Sequence, residues 1–317
     1  MPGSEKHTDM HTRTHTGMHT GRAALFVIAA SCCFGSISVL TTIALRGGVP
    51  LVTVMFWRYA LATIALIPIV MRGFARGAPR TFSWSLFIIG GVGQTAVSFV
   101  SLRALDYISV ATLAFLFYTY PAWVTLYSAL RRTDRITPVR LVALIVALIG
   151  VATIVGSPFD ARINVIGVVL ALASAVIYGV YLPAIDGMQR GMTPMLAALH
   201  IAAGTTVCFL VLAGVHGGPF IPNTISSGAS IITLALACTV LGFWLILAGM
   251  DTLGPMRTAI IATIEPFYTT LLGAAVLAQA PGVNTAIGGV LIAIAVIVIQ
   301  RAGRRDDTLR RAAPEPV

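Results

Sequence analysis

The chain has 317 residues, 57% of them hydrophobic and only 10% charged, a balance that excludes a soluble globular domain. Its formal net charge of +10 raises nucleic acid as a partner. The basic residues, however, sit in short clusters between long apolar runs, which marks membrane topology and no nucleic-acid partner.

The first 21 residues are polar and carry His7, His11, His15 and His19 at a four-residue period, each followed by Thr. On a helix that period would align four imidazoles, as in a metal-holding tract. Nothing apolar is present to fold against, so 1–21 reads as a disordered His/Thr-rich tail with no metal or cofactor assigned. Apolar runs near the roughly 20 residues that cross a bilayer come next. They are placed at 23–45, 50–71, 82–104, 108–130, 137–157, 164–186, 194–214, 228–250, 256–278 and 282–300. The run after Arg22 is too long for a signal-peptide core and lacks a small-x-small cleavage site, so it reads as a retained span. Cys32, Cys33, Cys208 and Cys238 lie within spans as small packing residues. The stretch 301–317 reads as a basic tail and topology anchor. The predicted fold is an all-α integral membrane protein of ten transmembrane helices.

The chain also contains itself twice. Arg46-Gly47-Gly48-Val49-Pro50 recurs as Arg190-Gly191-Met192-Thr193-Pro194, 144 positions on. Asp106 and Pro121 recur as Asp251 and Pro266, 145 positions on, and Phe34-Gly35 as Tyr178-Gly179. The halves are 22–157 and 158–300, five spans each. An odd number of spans returns the chain on the opposite face, so the second copy is predicted to lie inverted, as in secondary transporters. With a cytoplasmic N-terminus, all of the 21 basic residues except Arg46, Arg58, Arg103 and Arg162 fall inside. Both termini are therefore predicted to be cytoplasmic, in the inner membrane.

Ionisable groups inside spans cost on the order of 2.5–3.5 kcal/mol on insertion scales and need a reason. Arg58 and Glu265 stand out, each roughly 12 Å deep at ~1.5 Å per residue, from opposite faces. They read either as a buried ion pair fixing how the halves pack, or as substrate and coupling groups. In the second case Arg58 holds a carboxylate and Glu265 titrates. Pro121 and Pro266 each free a carbonyl four residues back, at Phe117 and Ala262, and predict matched kinks and hinges lining a central cavity. Pro183 predicts a similar break in the sixth span. Trp57, Gln94, Ser98, Tyr118, Tyr120, Tyr178, Tyr181, His200, Trp244 and Tyr268 complete the candidate site. Trp84, Tyr107 and Tyr127 read as interfacial anchors, and His200 is placed near the middle of the seventh span. Gly90-Gly91-x-Gly93 lies inside a span and reads as helix packing, not phosphate binding. The aliphatic stretches 141–156 and 286–299 read as scaffold facing lipid or a second copy, so a homodimer through the fifth and tenth helices stays open.

These motifs carry a resemblance. FGSISVLTTIAL in the first span, Trp57-Arg58-Tyr59, Ala104-Leu105-Asp106-Tyr107-Ile108 leading to Pro121, and Glu265-Pro266 resemble the EamA family of the drug/metabolite transporter superfamily, over about residues 22–300. The resemblance implies a helical basket with a central cavity from spans one to four and six to nine, and spans five and ten to one side. It also implies movement, usually export, of small metabolites such as amino acids. The chain departs from the family at Tyr120-Pro121, where Glu-Pro is common, and at Asp134 and Gln279, where Glu is common. The leading reading is a secondary transporter for an amino acid or related compound, an exporter working by alternating access and possessing one acid available for proton coupling. An uptake permease of the same fold and a non-transporting scaffold or receptor are the alternatives. An intramembrane enzyme would need His-Glu-x-x-His, paired Asp or Gly-x-Ser-x-Gly, and the sequence has none of them.

Overall fold

In lipid a backbone must satisfy its own hydrogen bonds, so the apolar runs of this sequence fold as helices. The computed structural model describes residues 19–78, 82–104, 106–108, 113, 116–131, 136–155, 164–215, 218, 221, 224–277 and 283–312, with the backbone alone at 102, 155, 270, 273, 274, 277, 285, 300 and 303–312. The helices are α1 Thr20–Arg46, α2 Leu51–Ala75, α3 Trp84–Ala104, α4 Tyr120–Leu130, α5 Pro138–Val155 and α6 Val165–Met188. They continue as α7 Pro194–Val215, α8 Ile225–Leu253, α9 Pro255–Ala262, α10 Glu265–Leu277 and α11 Val283–Ala312. No strand occurs among the described residues. His7, His11 and His15 of the tail, Asp134, Arg162 and Gln279 lie outside them.

Among the described residues, six helices are long and apolar enough to cross a membrane: α1, α2, α3, α6, α7 and α8. The apolar parts of α5 and α11, Pro138–Ile154 and Ala286–Ile299, are shorter. The spans expected at 108–130 and 256–278 are not continuous helices. The first lies partly outside the described residues, and the second divides into α9 and α10.

Hydroxyl and amide caps explain where several helices begin. Ser83 Oγ accepts from Leu86 N at 3.2 Å, Asn164 Oδ1 from Ile166 N at 2.9 Å, Thr193 Oγ1 from Leu196 N at 3.3 Å and Thr224 Oγ1 from Ser227 N at 3.2 Å. Between helices the chain turns through glycines at φ +80° (Gly48) and +78° (Gly191), values that a side chain would resist. The prolines beyond them, Pro50 and Pro194, start α2 and α7.

Both expected kinks are breaks. The helical path stops at Tyr118-Thr119 ahead of Pro121, and at Thr263-Ile264 ahead of Pro266. At the breaks, Thr119 Oγ1 donates to Leu116 O at 2.6 Å and Thr263 Oγ1 to Ile260 O at 2.7 Å, just ahead of the Phe117 and Ala262 carbonyls that the prolines were expected to free. Pro183, by contrast, does not break α6, which runs unbroken to Met188. One proline removes a single hydrogen bond, and its turn is held by the buried Tyr181, Leu182 and Ile185.

Small residues let the helices approach closely. α3 lies on α6 and α7, α2 on α7, α1 on α8 and α10, and α4 on α6. A Cβ added at Gly91 would stand 2.6 Å from Gly204 Cα and 2.8 Å from Thr205 N. One at Gly93 would stand 2.8 Å from Tyr181 Cε2. The Gly90-Gly91-x-Gly93 segment is thus a helix-crossing surface. Gly35 of α1 packs flush on Thr269 and Tyr268 of α10, and Gly179 of α6 packs flush on Trp123 of α4. To the side, α5 and α11 cross each other at Gly150 and Gly288. Their outer faces remain exposed at Leu141, Ile145 and Ile149 and at Val290, Ile294 and Ile297. The pairing of these two helices is within one chain.

α11 continues as helix to Ala312, well past the apolar run expected to end at 300. Arg, Ala and Leu are good helix formers, so the backbone carries the span's winding onward.

Candidate functional site

The two broken helices meet. Tyr118, in the break before α4, comes close to the carboxyl group of Glu265, the first residue of α10. Glu265 opens α10, where the unpaired amides of the first turn favour negative charge. Tyr118 and Tyr120 are buried, with Tyr120 only 2% exposed.

From there an aromatic wall runs across the centre. Phe117 stacks on Tyr178 (5.7 Å, 29°), Tyr178 stacks on Tyr181 (6.1 Å, 25°), and Tyr120 meets Tyr178 edge-on at 4.8 Å. Tyr181 Oη donates to Gly90 O at 3.2 Å, tying the wall to α3. Tyr178 has both Glu265 and Tyr59 nearby, so the wall runs from the Glu265 end to the Arg58 end.

At that far end Arg58 stands on α2, 5% exposed. Its Nε donates to Thr239 Oγ1 at 2.8 Å and its Cζ lies 4.9 Å over the Tyr59 ring. Tyr59 is fixed in turn: Gln94 Nε2 donates to its hydroxyl at 3.0 Å, and its ring stacks parallel on Phe209 at 5.9 Å. Arg58 and Glu265 lie in the same region of the site. No ion pair joins the two among the described residues, so the buried pair expected from depth alone is not formed. Equal expected depth would place two charges in one layer without bringing them into contact. The site therefore holds a guanidinium and a carboxyl group apart, with phenol hydroxyls and aromatic faces between them.

Several candidates lie elsewhere. His200 is not at mid-span among the tyrosines. It sits seven residues into α7, where Nδ1 faces Leu196 O at 2.7 Å and Nε2 accepts from Ser83 N at 3.3 Å. It secures the start of α3 and packs on Phe82 at 4.6 Å. Trp244 packs on Phe26 of α1 at 5.5 Å. Trp57 meets Phe56 and an apolar cluster formed by α1, α2 and α8. Ser98 spends its hydroxyl on Gln94 O within α3, at 2.9 Å. Tyr268 packs on Gly35, and its hydroxyl accepts from Ser36 Oγ at 3.4 Å. Trp84 (68% exposed) and Tyr107 (37%) sit on the surface, where interfacial anchors belong. Sequence reasoning missed Tyr59, Phe117, Phe209 and Thr239. Tyr59 had a signal, since it follows Arg58 directly.

Among the described residues, no group of three or more His, Cys, Asp or Glu could hold a metal ion.

The sequence model of the EamA-like transporter family matches this chain twice, over residues 21–156 and 165–301. A riboflavin transporter of Brucella anthropi is 28% identical over 194 residues, covering 57% of this chain and 68% of the relative. One solved crystal structure covers 90% of this chain and 98% of its own, with a TM-score of 0.76 at 22% identity, a likeness of fold. The relative and the family are membrane transporters, and the chain is an integral membrane protein that belongs to the EamA-like transporter family.

Proposed function

We propose that the chain is a secondary transporter moving an amino acid or related zwitterionic metabolite out across the cytoplasmic membrane. Its ten spans form two inverted five-helix halves, 22–157 and 158–300, with both termini cytoplasmic. Three things support the inversion. The residue offset of 144–145 pairs the two halves in sequence. The family model matches once in each half. Packing also repeats with the halves exchanged: α1 on α10 through Gly35, and α6 on α4 through Gly179.

The observation that carries the reading is the pair of opposite charges held apart. Arg58 suits a carboxylate, Glu265 and the tyrosine hydroxyls suit an ammonium group, and the aromatic wall covers the body between them. Alternating access rocks one half against the other at the breaks before Pro121 and Pro266. Glu265 is the coupling acid, exchanging a proton as the site changes sides. The substrate and the surrounding lipid are the only partners this reading requires. A second copy docking on the outer faces of α5 and α11 is compatible with it, and chemical cross-linking in native membranes tests that.

A second substrate class has its own support. The parallel rings Phe117, Tyr178 and Tyr181 suit a planar heterocycle, and a relative carries the name riboflavin transporter. Counterflow in proteoliposomes tests both, using the twenty common radiolabelled amino acids and riboflavin, with and without a pH gradient. Amino-acid exchange is expected. Riboflavin exchange alone would shift the reading to the second class, and no exchange of either would refute transport of these classes. Tags on each terminus, probed from the two sides of the membrane, test the topology; opposite locations would refute the inversion.

A further inference from the structure

Thr239 lies where α8 leaves regular α-helical geometry. Over Leu234–Leu241 the helix winds wider, and the Thr239 hydroxyl donates to Leu234 O, five residues back, at 2.9 Å. The corresponding segment 144 positions earlier stays α-helical. There Thr95 donates to Gly91 O, four residues back, at 2.8 Å. One added residue rotates the remainder of a helix by about 100° around its axis. In α8 that rotation accompanies a Thr239 whose oxygen meets Arg58 Nε.

The consequence falls on the guanidinium. Nε is committed to Thr239, and one face lies against Tyr59. Tyr59 is itself held by Gln94 and Phe209. The edge left is the end-on fork of Nη1 and Nη2. No carboxylate among the described residues pairs with it, although Arg58 is 5% exposed. We infer that Thr239 is a positioning residue that turns the Nη1/Nη2 fork of Arg58 toward the transported molecule, and that the fork takes a carboxylate. The inference rests on the transport reading for its ligand. It adds that specificity for an acid over its amide is set by a residue of α8, through Arg58 of α2.

Phenylglyoxal, which bridges the two terminal nitrogens of an accessible guanidinium, reads the fork directly. The purified full-length chain is labelled, and modification at Arg58 is followed by mass spectrometry, with the surface arginines as controls. Acetate and acetamide are the competing probes, with sodium chloride matching the ionic strength of acetate. Arg58 is expected to label, and acetate to slow its labelling about tenfold more than acetamide, as one charge-assisted hydrogen bond allows. Thr239→Val brings the acetate protection down to that of acetamide, whereas Thr239→Ser retains it. An unlabelled Arg58, equal protection by the two probes, or full acetate protection in T239V each overturns the inference. If T239V does not fold, the wild-type comparison and T239S still decide. Acetate protection without counterflow of any substrate would leave the fork standing and remove the transport reading alone.

Discussion

Gly91→Ala tests whether the crossing of α3 and α7 carries stability. The new methyl would collide with the Gly204 carbonyl carbon and stand 2.6 Å from Gly204 Cα and 2.8 Å from Thr205 N. Comfortable carbon contacts are about 3.5–4.0 Å, so the two backbones must part by roughly 1 Å. Every atom met is main chain, and no rotamer can move aside. Overpacking of this kind costs about 1–3 kcal/mol, against a gain of roughly 1 kcal/mol from replacing Gly by Ala in a helix. The net loss is up to about 2 kcal/mol, so at about 2–4 °C per kcal/mol the melting temperature is expected to fall by up to about 8 °C. Gly214→Ala is the control: its Cβ meets nothing within 4 Å, and α7 is expected to gain slightly. Gly204→Ala, facing the same crossing from the other side, is expected to combine with Gly91→Ala less than additively, since one separation relieves both. Thermal unfolding of the purified chain in detergent reads all four proteins. A Gly91→Ala variant melting at or above wild type, in step with Gly214→Ala, refutes the reasoning.

Glu265→Gln keeps the shape and a polar group beside Tyr118, so the chain should fold with an unchanged melting temperature while pH-driven counterflow is lost; wild-type flux would leave Glu265 with only a packing role. Thr263→Val and Thr119→Val each remove the hydroxyl that serves a carbonyl at a helix break, costing about 1 kcal/mol. The corresponding Ser variants should stay at wild-type stability, and equal melting of the Val and Ser forms would show that these hydroxyls carry nothing. His200→Ala removes the acceptor for Ser83 N–H and should cost about 1–2 kcal/mol, as lost caps do, with substrate affinity unchanged in counterflow. An affinity change there would place His200 in the transport path after all.

How far the sequence can be read depends on which physical term decides each feature. Helix extents follow from hydropathy and punctuation: the run expected at 194–214 is the helix Pro194–Val215, begun by a Thr cap and a proline. Position along a helix is likewise countable, which is why the sequence leads one to expect Arg58 and Glu265 in one layer. Lateral separation across that layer is set by packing between helices far apart in sequence, so their lack of direct contact was illegible. His200 fails for the same reason, since its partner Ser83 is 117 positions away. The breaks before Pro121 and Pro266 were signalled by the prolines, yet the serving hydroxyls of Thr119 and Thr263 were not. A threonine within a span ordinarily bonds its own helix and carries no special mark in sequence. The wide turn at Leu234–Leu241 left no trace at all, because its residues are as apolar as those of any regular span.

The crossing of α5 and α11 bears on how the molecule moves. A Cβ at Gly288 would stand 2.5 Å from Gly150 O, and one at Gly150 would stand 2.9 Å from Gly288 O. Main chains this close interlock like notched beams, and sliding would force one carbonyl over the other. These two helices therefore behave as a stationary post, and a covalent tether between their outer ends should leave turnover untouched. On the proposed rocking cycle, whatever swings would pivot beside that post, among the helices that carry Arg58, Glu265 and the tyrosines.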